Sequence, residues 1–416
     1  MTGSRLLCDI HGIINKQHLI YHDKYEMGNI MKRTWNAFVH YLFIPLSIIA
    51  TFLLVFSNTK GEAEVVKSQP RQPVVSRESL RIITPAVIKS KNLTLDWGLQ
   101  EFIANSVKHS RSGLITVAVL NPRNGEILAL YGKDASGENC SLALDAYLAA
   151  SLFKVVTAAA AIDYAGMSTD STCTYTGNAH TLFKSQIDIK KNRLANEVTF
   201  AKAFASSNNV IFGKIGAFQL GETPLLLTAM RLGFWKSPIV DSQCTPSTVF
   251  IPENEFNLAE LASGYNRYTR VSPVHAAQMV SAVLNNGQMI RPKLLRSSDS
   301  AVEQVISKDT AEALRAMMCQ TVKSGTVARA FYNSRNDRIL KGLTIGAKSG
   351  TINGVEPDGR RTWFMGFAED ASTGESIAIG CLVIRDAKTR ANAFNLARGV
   401  IREHFSKPAM VAASNT

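Results

Sequence analysis

Residues Leu114–Leu120 read LITVAVL, a run dense in β-branched side chains, and Glu126–Leu130 resumes the pattern after Asn121-Pro122-Arg123-Asn124-Gly125. Two apolar runs joined by a short Gly-containing turn predict a β-hairpin. Short apolar runs also predict strands at Leu343–Ala347, Thr362–Ala368 and Ser376–Ile384. Between these strand-like ends the period lengthens to that of helices. Leu148–Gly166 is Ala-rich and helix-forming, and Phe200–Leu220, Pro273–Asn286 and Lys308–Val322 repeat the helical pattern. Leu93-Thr94-Leu95-Asp96 opens a further helical stretch running to Lys108, and a last helix is expected over Ala391–Phe405. Strands at both ends enclosing a helical middle predict an α+β fold, an antiparallel sheet flanked by helices with an all-helical subregion.

One run stands outside this pattern. From Ala37 to Ser57 the chain reads AFVHYLFIPLSIIATFLLVFS, without Asp, Glu, Lys or Arg. A bilayer core needs about 20 mostly apolar residues in a helix. A buried core helix is rarely apolar on every face, and a signal peptide has a shorter apolar region and an A-x-A-like site, which does not follow here. The run is therefore expected to be a single uncleaved transmembrane helix. Residues 1–36 are then a short cytoplasmic segment, 58–92 a linker marked by Gln69-Pro70-Arg71-Gln72-Pro73, and 406–416 a tail. Lys32 and Arg33 before the run are nearly balanced by Lys60 and Lys67 after it, so local charge does not set the orientation.

Composition adds little to the fold and something to the partners. Hydrophobic residues make up 46% and charged residues 19%, enough for an ordinary core, and the formal net charge is +13. A basic excess points to an anionic surface or polymer. No basic block interleaved with aromatics occurs, which argues against nucleic acid. Six cysteines (Cys8, Cys140, Cys173, Cys244, Cys319, Cys381) include no CxxC; Cys173 with Cys244 is one pairing among several. Cys8, His11, His18 and His22 have the residue types of a zinc cluster, against the simpler reading of an ordinary N-terminal extension.

Three short motifs carry candidate chemistry. Ser151-Leu152-Phe153-Lys154 lies within the predicted Ala-rich helix, where residues three apart share a face. Tyr147, Leu148, Val155 and Val156 make the surroundings apolar. A buried Lys sheds its proton readily, and a neutral amine beside a hydroxyl is a base–nucleophile pair. S-x-x-K alone is a weak signal, since chance matches are common. Ser207-Asn208-Asn209 offers a hydroxyl to relay a proton and a carboxamide to bind an amide. Ser206 with Asn208 fits the same S-x-N pattern, but the apolar positions Val210, Phe212 and Ile215 favour Ser207 with Asn209; a helix cap would use the same residue types. Lys348-Ser349-Gly350-Thr351 ends the LTIGA strand, with Gly350 allowing close backbone approach and two hydroxyls flanking it to meet a carboxylate. A plain turn would explain the Gly but not its neighbours.

The ordered set Ser-x-x-Lys, Ser-x-Asn, Lys-Ser/Thr-Gly resembles the motifs of penicillin-binding proteins and serine β-lactamases. The spacing of Ser151, Ser207 and Lys348 is similar to that of penicillin-binding transpeptidase domains. The flanks Leu93–Asp96, Asn121–Ala129, Leu261–Asn266, Ser272–Ala277, Asn285–Pro292 and Trp363–Phe367 resemble that domain too, so the resemblance covers 93–405. It implies a β-lactamase/transpeptidase-like fold and a peptidoglycan D,D-transpeptidase that cross-links cell-wall peptides and is inhibited by β-lactams. In that reading Ser151 attacks a D-Ala-D-Ala carbonyl, Lys154 takes its proton, and Ser207 with Lys348 protonates the leaving D-Ala. Asn209 orients the peptide, Ser349 and Thr351 hold its carboxylate beside Gly350, and the backbone N–H groups of Ser151 and Thr351 form the oxyanion hole. No metal or organic cofactor is implied. Implied partners are peptidoglycan stem peptides, β-lactam antibiotics, the membrane through one helix and a cell-wall synthesis complex. The implied location is the inner (cytoplasmic) membrane, with the catalytic domain in the periplasm or otherwise outside.

Two features depart from the family. There is no room for the glycosyltransferase domain of bifunctional members, and only 58–92 stands where monofunctional members carry a pedestal, which argues against partnership with a shape–elongation–division polymerase. Competing readings remain a class D-like β-lactamase, a D,D-carboxypeptidase or endopeptidase, and a β-lactam sensor. The first is disfavoured by Asn209 and by the lack of Tyr-Gly-Asn, and the last by the short segment 1–36. Nothing in the sequence separates transfer from hydrolysis.

Overall fold

In the computed structural model the described residues are 74–188, 195–332, 336–355, 357–385 and 392–406. The apolar run 37–57, the Cys8/His11/His18/His22 group, the linker up to residue 73 and the tail beyond 406 lie outside them. Among the described residues no helix is long and apolar enough to cross a membrane.

The LITVAVL run forms β1 (Leu114–Leu120), buried at every position. It pairs antiparallel with β2 (Ile127–Asp134), as expected for a hairpin. The turn closes on residues suited to it: Asn121 Oδ1 accepts the Arg123 N–H, and Gly125 adopts φ +76°. A short β3 (Gly137–Glu138) and the C-terminal strands β4 (Leu343–Val355), β5 (Asp358–Asp370) and β6 (Ser376–Arg385) complete an antiparallel sheet of order β4-β5-β6-β1-β2-β3. The two termini of the domain thus meet in mid-sheet, where Val117 faces Cys381.

Helices lie on both faces, which is why β1 lacks in–out alternation. The helices are α1 (Trp97–Val107), α2 (Lys154–Ala165), α3 (Phe200–Ala205), α4 (Asn209–Lys214), α5 (Glu222–Arg231), α6 (Glu255–Ser263), α7 (Pro273–Leu284), α8 (Lys308–Ser324) and α9 (Ala393–Ser406), with shorter turns between. The wholly buried α7 packs on β1 and β6, so tightly that a Cβ at Gly380 would stand 2.0 Å from Pro273 O. Val383, of opposite parity on β6, faces Val107 of α1 and Leu396 of α9. Helices α2–α6 form the all-helical subregion, and α8 joins it to the sheet by touching α2, α3 and β4.

Three expected elements differ in their details. The helix expected over Leu148–Gly166 begins only at Lys154; Ala150–Phe153 is a tighter 3-10 turn, entered by Ala150 at φ +49°. The helix expected over Phe200–Leu220 is broken between α3 and α4. Ser206 Oγ donates back to Lys202 O at the end of α3, Ser207 swings to φ +58°, and Asn208 Oδ1 accepts the Ile211 N–H to cap α4. The third motif does not end a strand. β4 runs through it to Val355, with Lys348 paired to Met365 and Thr351 to Thr362 of β5. The pairing of Cys173 with Cys244 does not occur: Cys140, Cys173, Cys244, Cys319 and Cys381 are all free.

Candidate active site

Ser151 sits in the 3-10 turn, and the chain around it is pinned on all sides. Tyr147–Leu148 pair with Arg270–Val271, Ala149 N–H donates to Thr269 O, and the buried Trp363 indole N–H donates to Leu148 O at 2.8 Å. Two glycines make room for the turn. A Cβ on Gly264 would lie 2.1 Å from Ala150 O, and one on Gly350 would lie 3.2 Å from Ala150 Cβ. The left-handed Ala150 costs about 1–2 kcal/mol, and these neighbours hold it there. The third motif therefore runs alongside the Ser151 turn, on the outer strand of the sheet.

Lys154, the first residue of α2, is fully buried. Its Nζ lies 2.9 Å from Ser151 Oγ, 2.7 Å from Asn209 Oδ1 and 2.6 Å from Ser263 O, and 5.6 Å from the centre of the Phe212 ring. Its three close oxygen partners include no carboxylate. Burial, and then the charge of nearby Lys348, hold its pKa well below the ordinary lysine value. The partners fit a neutral amine. Two of them are carbonyl oxygens that only accept, matching its two N–H groups, and the remaining lone pair meets the one partner able to donate, the Ser151 hydroxyl. That arrangement equips Lys154 to take the Ser151 proton.

The second motif is held with the same economy of partners. Asn209 donates from Nδ2 to His180 O at 2.8 Å while its Oδ1 accepts from Lys154. The S-x-N register is thereby Ser207 with Asn209, because Ser206 Oγ turns away to Lys202 O. Ser207 Oγ accepts from Lys348 Nζ at 3.0 Å, and the same Nζ donates to Ser349 O at 2.8 Å. Lys348 is fully buried, and burial pushes its pKa down to about 7. Ser349 Oγ meets Thr326 Oγ1 at 2.5 Å, Gly350 lies against the Ser151 turn, and the Thr351 side chain is exposed beside them. The sequence-predicted residues thus lie near one another: Ser151, Lys154 and Asn209 share one set of hydrogen bonds, Ser207, Lys348 and Ser349 share another, and Gly350 and Thr351 follow on β4 with Gly350 against the Ser151 turn. Reasoning from sequence missed Ser263 O, His180 O and Thr326. The first two act through backbone carbonyls, which no side-chain pattern reveals.

A family profile described as the penicillin binding protein transpeptidase domain matches residues 115–403. The chain belongs to the penicillin-binding protein transpeptidase family. The chain is also 25% identical over 299 residues to stage V sporulation protein D of Bacillus subtilis, a match covering 64% of this chain and 45% of that one. The chain therefore spans a little under half the length of that relative. In fold it resembles penicillin-binding protein A of Mycobacterium tuberculosis, with a TM-score of 0.59 at 20% identity over 75% of this chain and 79% of that one. Penicillin-binding protein 3 of the same organism gives a TM-score of 0.62 at 17% identity, over 76% and 79% of the two chains. The penicillin-binding fold expected from the motifs is thus the fold observed, with its antiparallel sheet and flanking helices.

Among the described residues no group of three or more His, Cys, Asp or Glu is placed to hold a metal ion. The Cys8/His11/His18/His22 group lies outside that set.

Proposed function

We propose that this protein is a peptidoglycan D,D-transpeptidase working through an acyl-enzyme at Ser151. The observation that carries the reading is the Lys154 amine, buried with two carbonyl acceptors and the Ser151 hydroxyl around it. In the proposed reaction Ser151 Oγ bonds to the carbonyl carbon of the penultimate D-Ala while its proton passes to Lys154. The carbon–nitrogen bond then breaks, and the departing D-Ala amine takes a proton delivered through Ser207 and Lys348. Asn209 orients the donor peptide with its remaining N–H. Ser349 and Thr351 receive the terminal carboxylate, and the backbone N–H groups of Ser151 and Thr351 stabilise the oxyanion. An amine of a neighbouring stem peptide then attacks the ester carbonyl, restoring the Ser151 hydroxyl.

Solved structures of the Mycobacterium tuberculosis relatives include a penicillin G acyl-enzyme of penicillin-binding protein A and penicillin-binding protein 3 complexed with aztreonam. They support β-lactams as inhibitors that mimic the dipeptide and trap Ser151. The anchor 37–57, the linker 58–92 and the catalytic domain 93–405 are part of the proposal, with the domain facing the cell wall from the outer side of the inner membrane. Membership of a cell-wall synthesis complex belongs to the same proposal.

The test is mass spectrometry of the products formed from a D-Ala-D-Ala stem peptide with and without an added D-amino acid. The proposal expects exchange of the terminal D-Ala for the added amine, absent in Ser151→Ala. Loss of D-Ala with no exchange would favour the carboxypeptidase reading.

A further inference from the structure

Helix α8 ends at Ser324, and Gly325 and Thr326 then turn into the space between the second and third motifs. Thr326 N–H donates to Ala205 O at 3.1 Å, at the end of α3, two residues before Ser207. That approach needs a glycine beside it, because a Cβ on Gly325 would stand 2.4 Å from Ala205 O. On its other side Thr326 places Oγ1 2.5 Å from Ser349 Oγ. One residue is therefore bonded to the second-motif loop through its backbone and to the third motif through its side chain. Ser349 is 5% exposed, whereas Thr326 is exposed. Neither the helix cap nor the packing of α8 requires a hydroxyl at this exposed position.

Each hydroxyl has one proton and two lone pairs. In the Thr326–Ser349 pair one proton lies between the two oxygens, leaving one proton to donate to an incoming acceptor. If Thr326 donates inward, the Ser349 hydroxyl is held with its proton available. Without that partner the Ser349 hydroxyl is free to rotate about its C–O bond, and its proton is no longer held toward an incoming carboxylate.

We propose that Thr326 is a positioning residue for carboxylate recognition, fixing the Ser349 hydroxyl as a donor to the terminal carboxylate of the acyl donor. This rests on the transpeptidase reading above. It adds a determinant on α8's C-terminal turn, outside all three motifs, that governs preference for donors with a free carboxylate.

The experiment uses two thioester donors with one acyl group, whose leaving thiols differ only in bearing a carboxylate or the corresponding carboxamide. Steady-state kcat and KM are measured for the full-length protein, Thr326→Val, Thr326→Ser and Ser151→Ala. Loss of one hydrogen bond to a charged group predicts that the carboxylate-to-carboxamide ratio of kcat/KM falls about tenfold in Thr326→Val, through KM of the carboxylate donor. Thr326→Ser, which keeps the hydroxyl, retains the parent ratio. An unchanged ratio in Thr326→Val, whether or not both donors slow together, would overturn the inference, as would loss of the ratio in Thr326→Ser. If the parent turns over neither donor faster than Ser151→Ala, the transpeptidase reading itself fails and takes this inference with it.

Discussion

Lys154 and Lys348 are both buried, yet their surroundings divide their roles. Lys154 has two carbonyl acceptors and a hydroxyl, and its pKa is driven well down; Lys348, at about 7, keeps a proton near neutrality and hydrogen-bonds Ser207. If protonated Lys348 supports departure of the leaving amine, its cation is the working form and is populated below its pKa. Acylation by a peptide donor, read as kcat/KM, is then expected to fall as pH rises through about 7. A profile flat from about pH 6 to 9 contradicts that role. A third buried base serves the fold instead. His275 Nε2 lies 2.7 Å from Leu232 O and Nδ1 2.7 Å from Ser247 Oγ, so Nε2 carries the proton and Nδ1 accepts the Ser247 hydroxyl. Burial lowers its pKa from 6.5 to about 4. Because the folded value is the lower, the neutral ring contributes its full stability above about pH 6.5 and loses it as pH falls toward 4, by about 3 kcal/mol in all. Urea midpoints at about pH 7 and 4.5 should drop more for the parent than for His275→Gln; equal drops would contradict this account.

At the scale of elements, the site exists because regular structure is interrupted at chosen places. Strands, hairpin turn and most helices were legible, since apolar period and turn residues report burial directly. The interruptions were not. SLFKVVTAAAA has the composition of a helix, and tertiary contacts hold Ala150 in the left-handed turn that precedes Lys154: the bonds of Leu148 and Ala149 to Trp363 and Thr269, and the close approach that Gly264 and Gly350 allow. The break between α3 and α4 was hidden likewise, because Ser206, Ser207 and Asn208 become end signals only when their side chains bond the backbone. The third motif looked like a strand end because its polar letters mask a strand that continues past them. The eight candidate residues were singled out through their motifs and a resemblance to a family, while the carbonyls of Ser263 and His180 were beyond any side-chain pattern. Gly264→Ala tests the pinning. Its φ of +66° and a Cβ placed 2.1 Å from Ala150 O should displace the Ser151 turn. The expected result is at least about a hundredfold loss of acylation rate with the circular dichroism of a folded protein; acylation within about twofold of the parent would contradict it.

For the whole molecule, the sheet joins both ends of the catalytic domain and needs no disulfide to do so. All five described cysteines are free, and four are buried with thiol pKa values raised by burial. Reducing agent is therefore expected to leave the thermal midpoint of the catalytic domain unchanged; a fall of several degrees would indicate a bridge. The proposed anchor predicts that the full chain sediments with membranes and resists high salt, whereas deletion of 37–57 releases it; an unchanged distribution would argue against that anchor. The central claim is acylation at Ser151, and its most direct measurement is intact-mass and peptide mapping after exposure of the full chain to penicillin. The account predicts a stable adduct of one penicillin mass on the peptide carrying Ser151, absent in Ser151→Ala and in parent protein exposed to penicillin with its β-lactam ring already hydrolysed. An unmodified chain, or an adduct that persists in Ser151→Ala, would contradict it.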